Sequence, residues 1–137
     1  MQLIRAIYAS YKIDSLTRED IESILAASRA NNSRAEITGL LCFSHHHFLQ
    51  CLEGSREQVN QLYNKITRDS RHAEPFIIDY SEISERAFSS WAMGYVPDTA
   101  ISRELILKYS TSGQFDPTQM SAASALGFLR ALTNTIE

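Results

Sequence analysis

Two strand-like runs with almost nothing between them constrain this chain most: residues 37–43 (ITGLLCF) and 47–53 (HFLQCLE). A short histidine-rich turn joins them, so they read as a hairpin. Side chains alternate along a strand, so Phe48, Gln50 and Leu52 are expected on one face and Leu49, Cys51 and Glu53 on the other. Residues 2–9 (QLIRAIYA) read as another strand with few exposed positions. There Ile4, Ala6 and Tyr8 oppose Leu3, Arg5 and Ile7.

Helical spacing lies between and after these runs. Thr17 is a suitable N-cap, with Glu19 and Asp20 at the positive end of the helix. Ile21, Ile24, Leu25 and Ser28 follow at i, i+3, i+4, i+7. The helix is expected to end near Asn31 and Asn32, since asparagine tolerates the left-handed cap conformation. Ser55 and Gln58 fit a capping box, and Val59, Leu62, Tyr63 and Ile66 form a second apolar stripe. Pro75 is expected to end a loop. Residues 76–83 and 91–96 read as further strands, with Trp91 and Met93 on one face of the last and Phe88 between the two. The order β-α-β-β-α-β, plus one strand, predicts an α+β, ferredoxin-like sheet (βαββαββ) with two helices on one face. The tail carries two more helical patterns, 101–109 and one after Pro117 with Met120, Ala123, Leu126, Phe128, Leu129 and Leu132. An apolar two-helix tail is suited to covering the other sheet face or meeting another subunit. The expected division is 1–97 and 98–137, with 110–117 the clearest loop.

The 137 residues suffice for one core without a metal or disulfide staple. A formal charge of −3 argues against nucleic acid and anionic membrane as partners. No apolar run approaches the ~20 residues of a membrane span, and no secretory pattern opens the chain, so a cytoplasmic location is expected. Cys42 and Cys51 are expected to be reduced packing residues. His45, His46 and His47 are consecutive and diverge, so no metal site is expected.

Taken singly, the polar residues on apolar elements have ordinary readings. Tyr8 reads as a core tyrosine, Gln50 as an edge-strand amide, Asn31 and Asn32 as caps, and Trp91 and Met93 as core. Arg68, Arg71 and His72 read as cations favoured after a helix. Together they carry more. NNSRAEITGLL, FLQCLEG, DSRH and WAMGYV resemble, in order and spacing, the signature of the BLUF family over about residues 1–97. The tail segments LKYS and FDPTQM resemble the short, PixD-type members.

That resemblance implies a blue-light photoreceptor, not an enzyme, holding a non-covalent flavin, FAD or alternatively FMN, between the two helices. It implies Tyr8 as electron and proton donor and Gln50 as the switching amide. Trp91 and Met93 would sit near Gln50 and relay its change. Asn32 would hold the ring edge with Asn31 beside it, Ile24, Ser28 and Ile66 would line the ring, and Asp69, Arg71 and His72 would approach the ribityl-phosphate arm. It also implies a homo-oligomer and a response-regulator-like partner resembling PixE. Ala35-Glu36 departs from the Asp-Gly or Asn-Gly of relatives, so that turn is expected to differ. The chemistry is reasonable: tyrosine is neutral below its pKa of ~10, and a carboxamide carries a donor and an acceptor of nearly equal shape. An acylphosphatase-type hydrolase shares the topology, but residues 9–16 (ASYKIDSL) lack glycine and arginine. A flavin-binding interaction module without photochemistry is the other alternative, and Tyr8 with Gln50 argues against it.

Overall fold

The computed structural model describes all residues except Met1, Asp14, His45, Ser70, Arg71, Ile136 and Glu137, and leaves the side chains of His72, Ala73, Asp98 and Thr135 undescribed. Five strands form one sheet: β1 Leu3–Lys12, β2 Thr38–Phe43, β3 His47–Ser55, β4 His72–Glu82 and β5 Gly94–Val96, in the order β4-β1-β3-β2-β5. All neighbours are antiparallel except β2 and β5. Helices α1 (Arg18–Ala35) and α2 (Arg56–Thr67) cover one face, giving the ferredoxin-like α+β fold expected.

Alternation assigns the two faces. Ile4, Ala6, Tyr8, Leu41, Phe48 and Leu52 pack with Ile21 and Leu25 of α1 and Val59 of α2. Ile7, Leu40, Cys42, Leu49 and Cys51 point the other way. They meet helices α3 (Arg103–Tyr109) and α4 (Ala122–Leu132), which bury Ile106, Phe128, Leu129 and Leu132 there. Burying one such aliphatic or aromatic side chain stabilises by ~1.5–3 kcal/mol, enough for four to hold a short tail on the sheet. Gly127 lets the Tyr109 ring lie close, because a Cβ there would stand 2.6 Å from it. Both cysteines are reduced and buried. Burial first, then the Glu53 charge, raises the Cys51 thiol well above its usual range, which keeps it unreactive.

The boundaries differ from the sequence reading in four places. Helix α1 does not stop at the asparagines; it runs to Ala35, and Glu36 takes the left-handed position at φ 57°. Asn32 is instead drawn into the interior by a tertiary bond described below. Strand β1 extends to Lys12 and β4 begins at His72, so Pro75 lies inside a strand rather than before it. This is tolerated because β4 is an edge strand with a register shift there and a positive φ of 51° at Glu74. Strand β5 spans only Gly94–Val96, so Trp91 and Met93 precede it and do not share a strand face. Met93 packs with Tyr8, whereas Trp91 packs against the tail-side core. Among the described residues no helix is long and apolar enough to cross a membrane.

Candidate functional site

Strands β1 and β3 are in register with Tyr8 opposite Gln50, on the face under α1 and α2. The Tyr8 hydroxyl donates to Gln50 Oε1. Tyr8 is fully buried and Gln50 is 5% exposed, so water does not compete for this bond. Burial, reinforced by Tyr63 and then Asp69, pushes the Tyr8 pKa well above its ordinary value, and the phenol stays protonated. The Tyr63 ring meets it edge-on at 5.3 Å. At its other end the Gln50 amide donates through Nε2 to Met93 Sδ at 3.3 Å. A thioether is a weak acceptor, so this is the softer of the two amide bonds.

Ile24, Ser28 and Asn32 recur every four residues along α1 and share a face. Ile24 and Asn32 are buried, and Ser28 is half-buried. Asn32 Nδ2 donates to Ala92 O at 2.8 Å, beside Met93. Its Oδ1 is buried with no hydrogen-bond partner. Such an orphan acceptor costs ~1–3 kcal/mol. Asn32 also lines a cavity of about 260 Å³ between α1 and α2, with Asn31, Arg34, Ile37, Leu62 and Lys65. The volume lies just below the ~300–1,000 Å³ usual for small-molecule sites, and Ile24, Ser28 and Ile66 are not among the lining residues. Tyr8 and Gln50 are not among its lining residues; they connect to it through Met93, Ala92 and Asn32.

The remaining expected residues divide. Asn31 is exposed and accepts from Arg34 Nη2 at 2.7 Å. Ile66 is half-buried against the Tyr8 cluster, and Asp69 is near enough to act on the Tyr8 hydroxyl. Arg71 and the His72 side chain lie outside the described residues. Trp91 faces the tail helices, so the pair expected to flank Gln50 is divided between the two sheet faces.

Sequence reasoning missed the groups that hold the segment carrying Met93. Glu53 is fully buried on the tail side of β3. It accepts from Arg5 Nε at 2.9 Å, Ala87 N at 2.9 Å and Phe88 N at 2.8 Å. Arg86 donates to Thr38 Oγ1, Glu53 O and Glu36 O. The signal was available: Arg5 and Glu53 are charges at apolar-looking strand positions, and pairing the strands puts them opposite each other.

A family model described as "BLUF: Sensors of blue-light using FAD" matches residues 3–94. The blue light- and temperature-regulated antirepressor BluF of Escherichia coli is 37% identical over 70 residues, covering 51% of this chain and 17% of that protein. The photoactivated adenylate cyclase subunit alpha of Euglena gracilis is 36% identical over 89 residues, covering 65% of this chain and 9% of that protein. The chain therefore spans less than a fifth of the length of these two relatives. Among solved structures, the BlsA ground state superposes with a TM-score of 0.86 at 30% identity, covering 95% of this chain and 87% of that one. The dark state of BlrB, a BLUF protein, gives 0.83 at 29% identity, covering 98% and 96%. Both likenesses extend through the tail.

Proposed function

The chain belongs to the BLUF family, flavin-based sensors of blue light, and we propose that it senses light by rearranging the Tyr8–Gln50–Met93 hydrogen bonds beside a bound FAD. The observation that carries this reading is the buried Tyr8-to-Gln50 bond continued to Met93, one peptide from the carbonyl that Asn32 holds. Asn32 Oδ1, buried and unpartnered, would accept a ring N–H, and Ile24, Ser28 and Ile66 would contact the ring. FAD rather than FMN is favoured by the family description, and Asp69, Arg71 and His72 are the proposed neighbours of its phosphate arm.

Bound flavin supplies blue-light absorption and an electron acceptor. Tyr8, protonated in the dark, yields an electron and its hydroxyl proton together and recovers both on return. Its proton moves along the existing bond toward Gln50 Oε1. The Gln50 amide then rotates or tautomerises with little change of volume, and Nε2 leaves the Met93 sulfur. In a dry site each unmade bond costs ~1–3 kcal/mol, so the arrangements are discrete rather than graded. Full inversion of a population, from 1:99 to 99:1, needs ~5.5 kcal/mol. A few exchanged bonds and one released side chain supply a useful part of that.

The output is proposed to pass through segment 91–93 to the tail, where Trp91 packs. Residues 98–137 are then an output element distinct from 1–97. The proposed consequence is a change in homo-oligomer or in binding of a response-regulator-like protein, with no enzymatic step in these residues. The hydrolase alternative has no support in the family match. The test is an absorption spectrum of the purified yellow protein before and after blue light. A reversible red shift is expected; a spectrum that bleaches or stays fixed removes the reading.

A further inference from the structure

The three residues before β5 are held by one backbone donor from β2 and two side-chain donors from α1. Gly39 N donates to Trp91 O at 3.1 Å, Asn32 Nδ2 to Ala92 O at 2.8 Å and Arg29 Nε to Met93 O at 3.1 Å. Three successive carbonyls are thus occupied, two of them by side chains of α1 placed three residues apart on one helix face. At residues 92 and 93 the side chains of α1 take the place of a strand's donors, and regular pairing with β2 begins at Gly94. Met93 is gripped at two points: its sulfur by Gln50 and its carbonyl by Arg29. The guanidinium bond is charge-assisted and the stronger of the two, because a thioether is a weak acceptor. When Gln50 releases the sulfur, the carbonyl remains tied to α1.

The geometry points to Arg29 as a positioning residue of the switch: it sets the Met93 backbone so that the sulfur reaches Gln50, and it couples Met93 to α1. The light-dependent half of this inference rests on the reading of Tyr8 and Gln50 as the photochemical pair. The positioning half does not, because it concerns where Met93 sits in the dark. Arg29 itself is exposed on the rim of α1, so replacing it leaves the helix core intact.

The test uses the full flavin-loaded chain with methyl-labelled methionine. Three methionines, Met1, Met93 and Met120, give few signals, and Met93→Leu assigns the relevant one. In the dark, Arg29→Leu should displace the Met93 methyl resonance and leave that of Met120 in place. Arg29→Lys should restore it, because an ammonium can still donate one bond to the carbonyl. After blue light, the dark-recovery time of Arg29→Leu should change by at least about threefold, the scale of one hydrogen bond, while Arg29→Lys stays near wild type. An unmoved Met93 methyl in Arg29→Leu overturns the inference, as does an equal displacement in Arg29→Lys. If wild type shows no red shift, the photochemical reading falls, and the dark methyl comparison still decides the role of Arg29.

Discussion

Replacing Glu53 with leucine should be among the most damaging single changes in this chain, although Glu53 touches neither Tyr8 nor Gln50 in the bonds described. The carboxylate is fully buried and accepts three hydrogen bonds, one from Arg5 and two from the backbone of residues 87 and 88. Its removal leaves the Arg5 guanidinium, 9% exposed as a side chain, without its partner. Breaking one side of a buried pair costs ~3–5 kcal/mol. Two orphaned N–H groups add ~1 kcal/mol each after partial hydration, and the leucine returns some apolar burial. The net loss should be about 4 kcal/mol, a drop in Tm of roughly 12–20 °C for a chain of this size. Arg5→Met combined with Glu53→Leu should lose only ~2 kcal/mol, because no charge is then stranded. Urea denaturation at a fixed free flavin concentration measures all three proteins, since bound ligand otherwise shifts the midpoint. A single variant within about 1 kcal/mol of wild type, or a double variant worse than the single, would refute the clamp.

Three further outcomes are expected. Glu36→Gly should stabilise by about 0.5–1 kcal/mol in urea, since Glu36 holds φ 57° and glycine adopts that region freely; its carbonyl bond to Arg86 is kept. Asn32→Ala should weaken flavin binding about tenfold by fluorescence titration, the effect of one buried hydrogen bond; unchanged affinity would remove Asn32 from the ring contacts. His47 is buried, and burial lowers its pKa from 6.5 against the opposing pull of Asp116. The unfolded chain then binds the proton more readily, so stability should fall as pH drops through 6.5 and level off below the folded value. Denaturation at about pH 7.5 and 5.5 should show a larger loss for wild type than for His47→Gln.

The sheet and its two covering helices were legible because strand alternation and helical spacing act over short distances. Tyr8, Gln50 and Asn32 stood out as polar residues on apolar elements. What escaped was set by tertiary bonds. Asn32 reads as a cap by propensity, yet its amide is recruited by Ala92 O, and the helix passes through it to Ala35. Trp91 and Met93 alternate as if on a strand, yet their carbonyls are taken by Gly39 and Arg29, and their side chains go to opposite faces. Arg29 gives no sequence signal at all, being one cation among several on a helix surface. Pro75 marked a loop by its missing donor, but an edge strand with a shifted register has no need of that donor.

The light-minus-dark absorption difference, recorded for wild type beside Tyr8→Phe at equal flavin occupancy, bears most directly on the account. Phenylalanine keeps the ring and its packing and removes only the hydroxyl that donates to Gln50. Wild type should give a reversible red shift and Tyr8→Phe none. A variant that shifts and recovers like wild type would show that this hydroxyl is not the trigger.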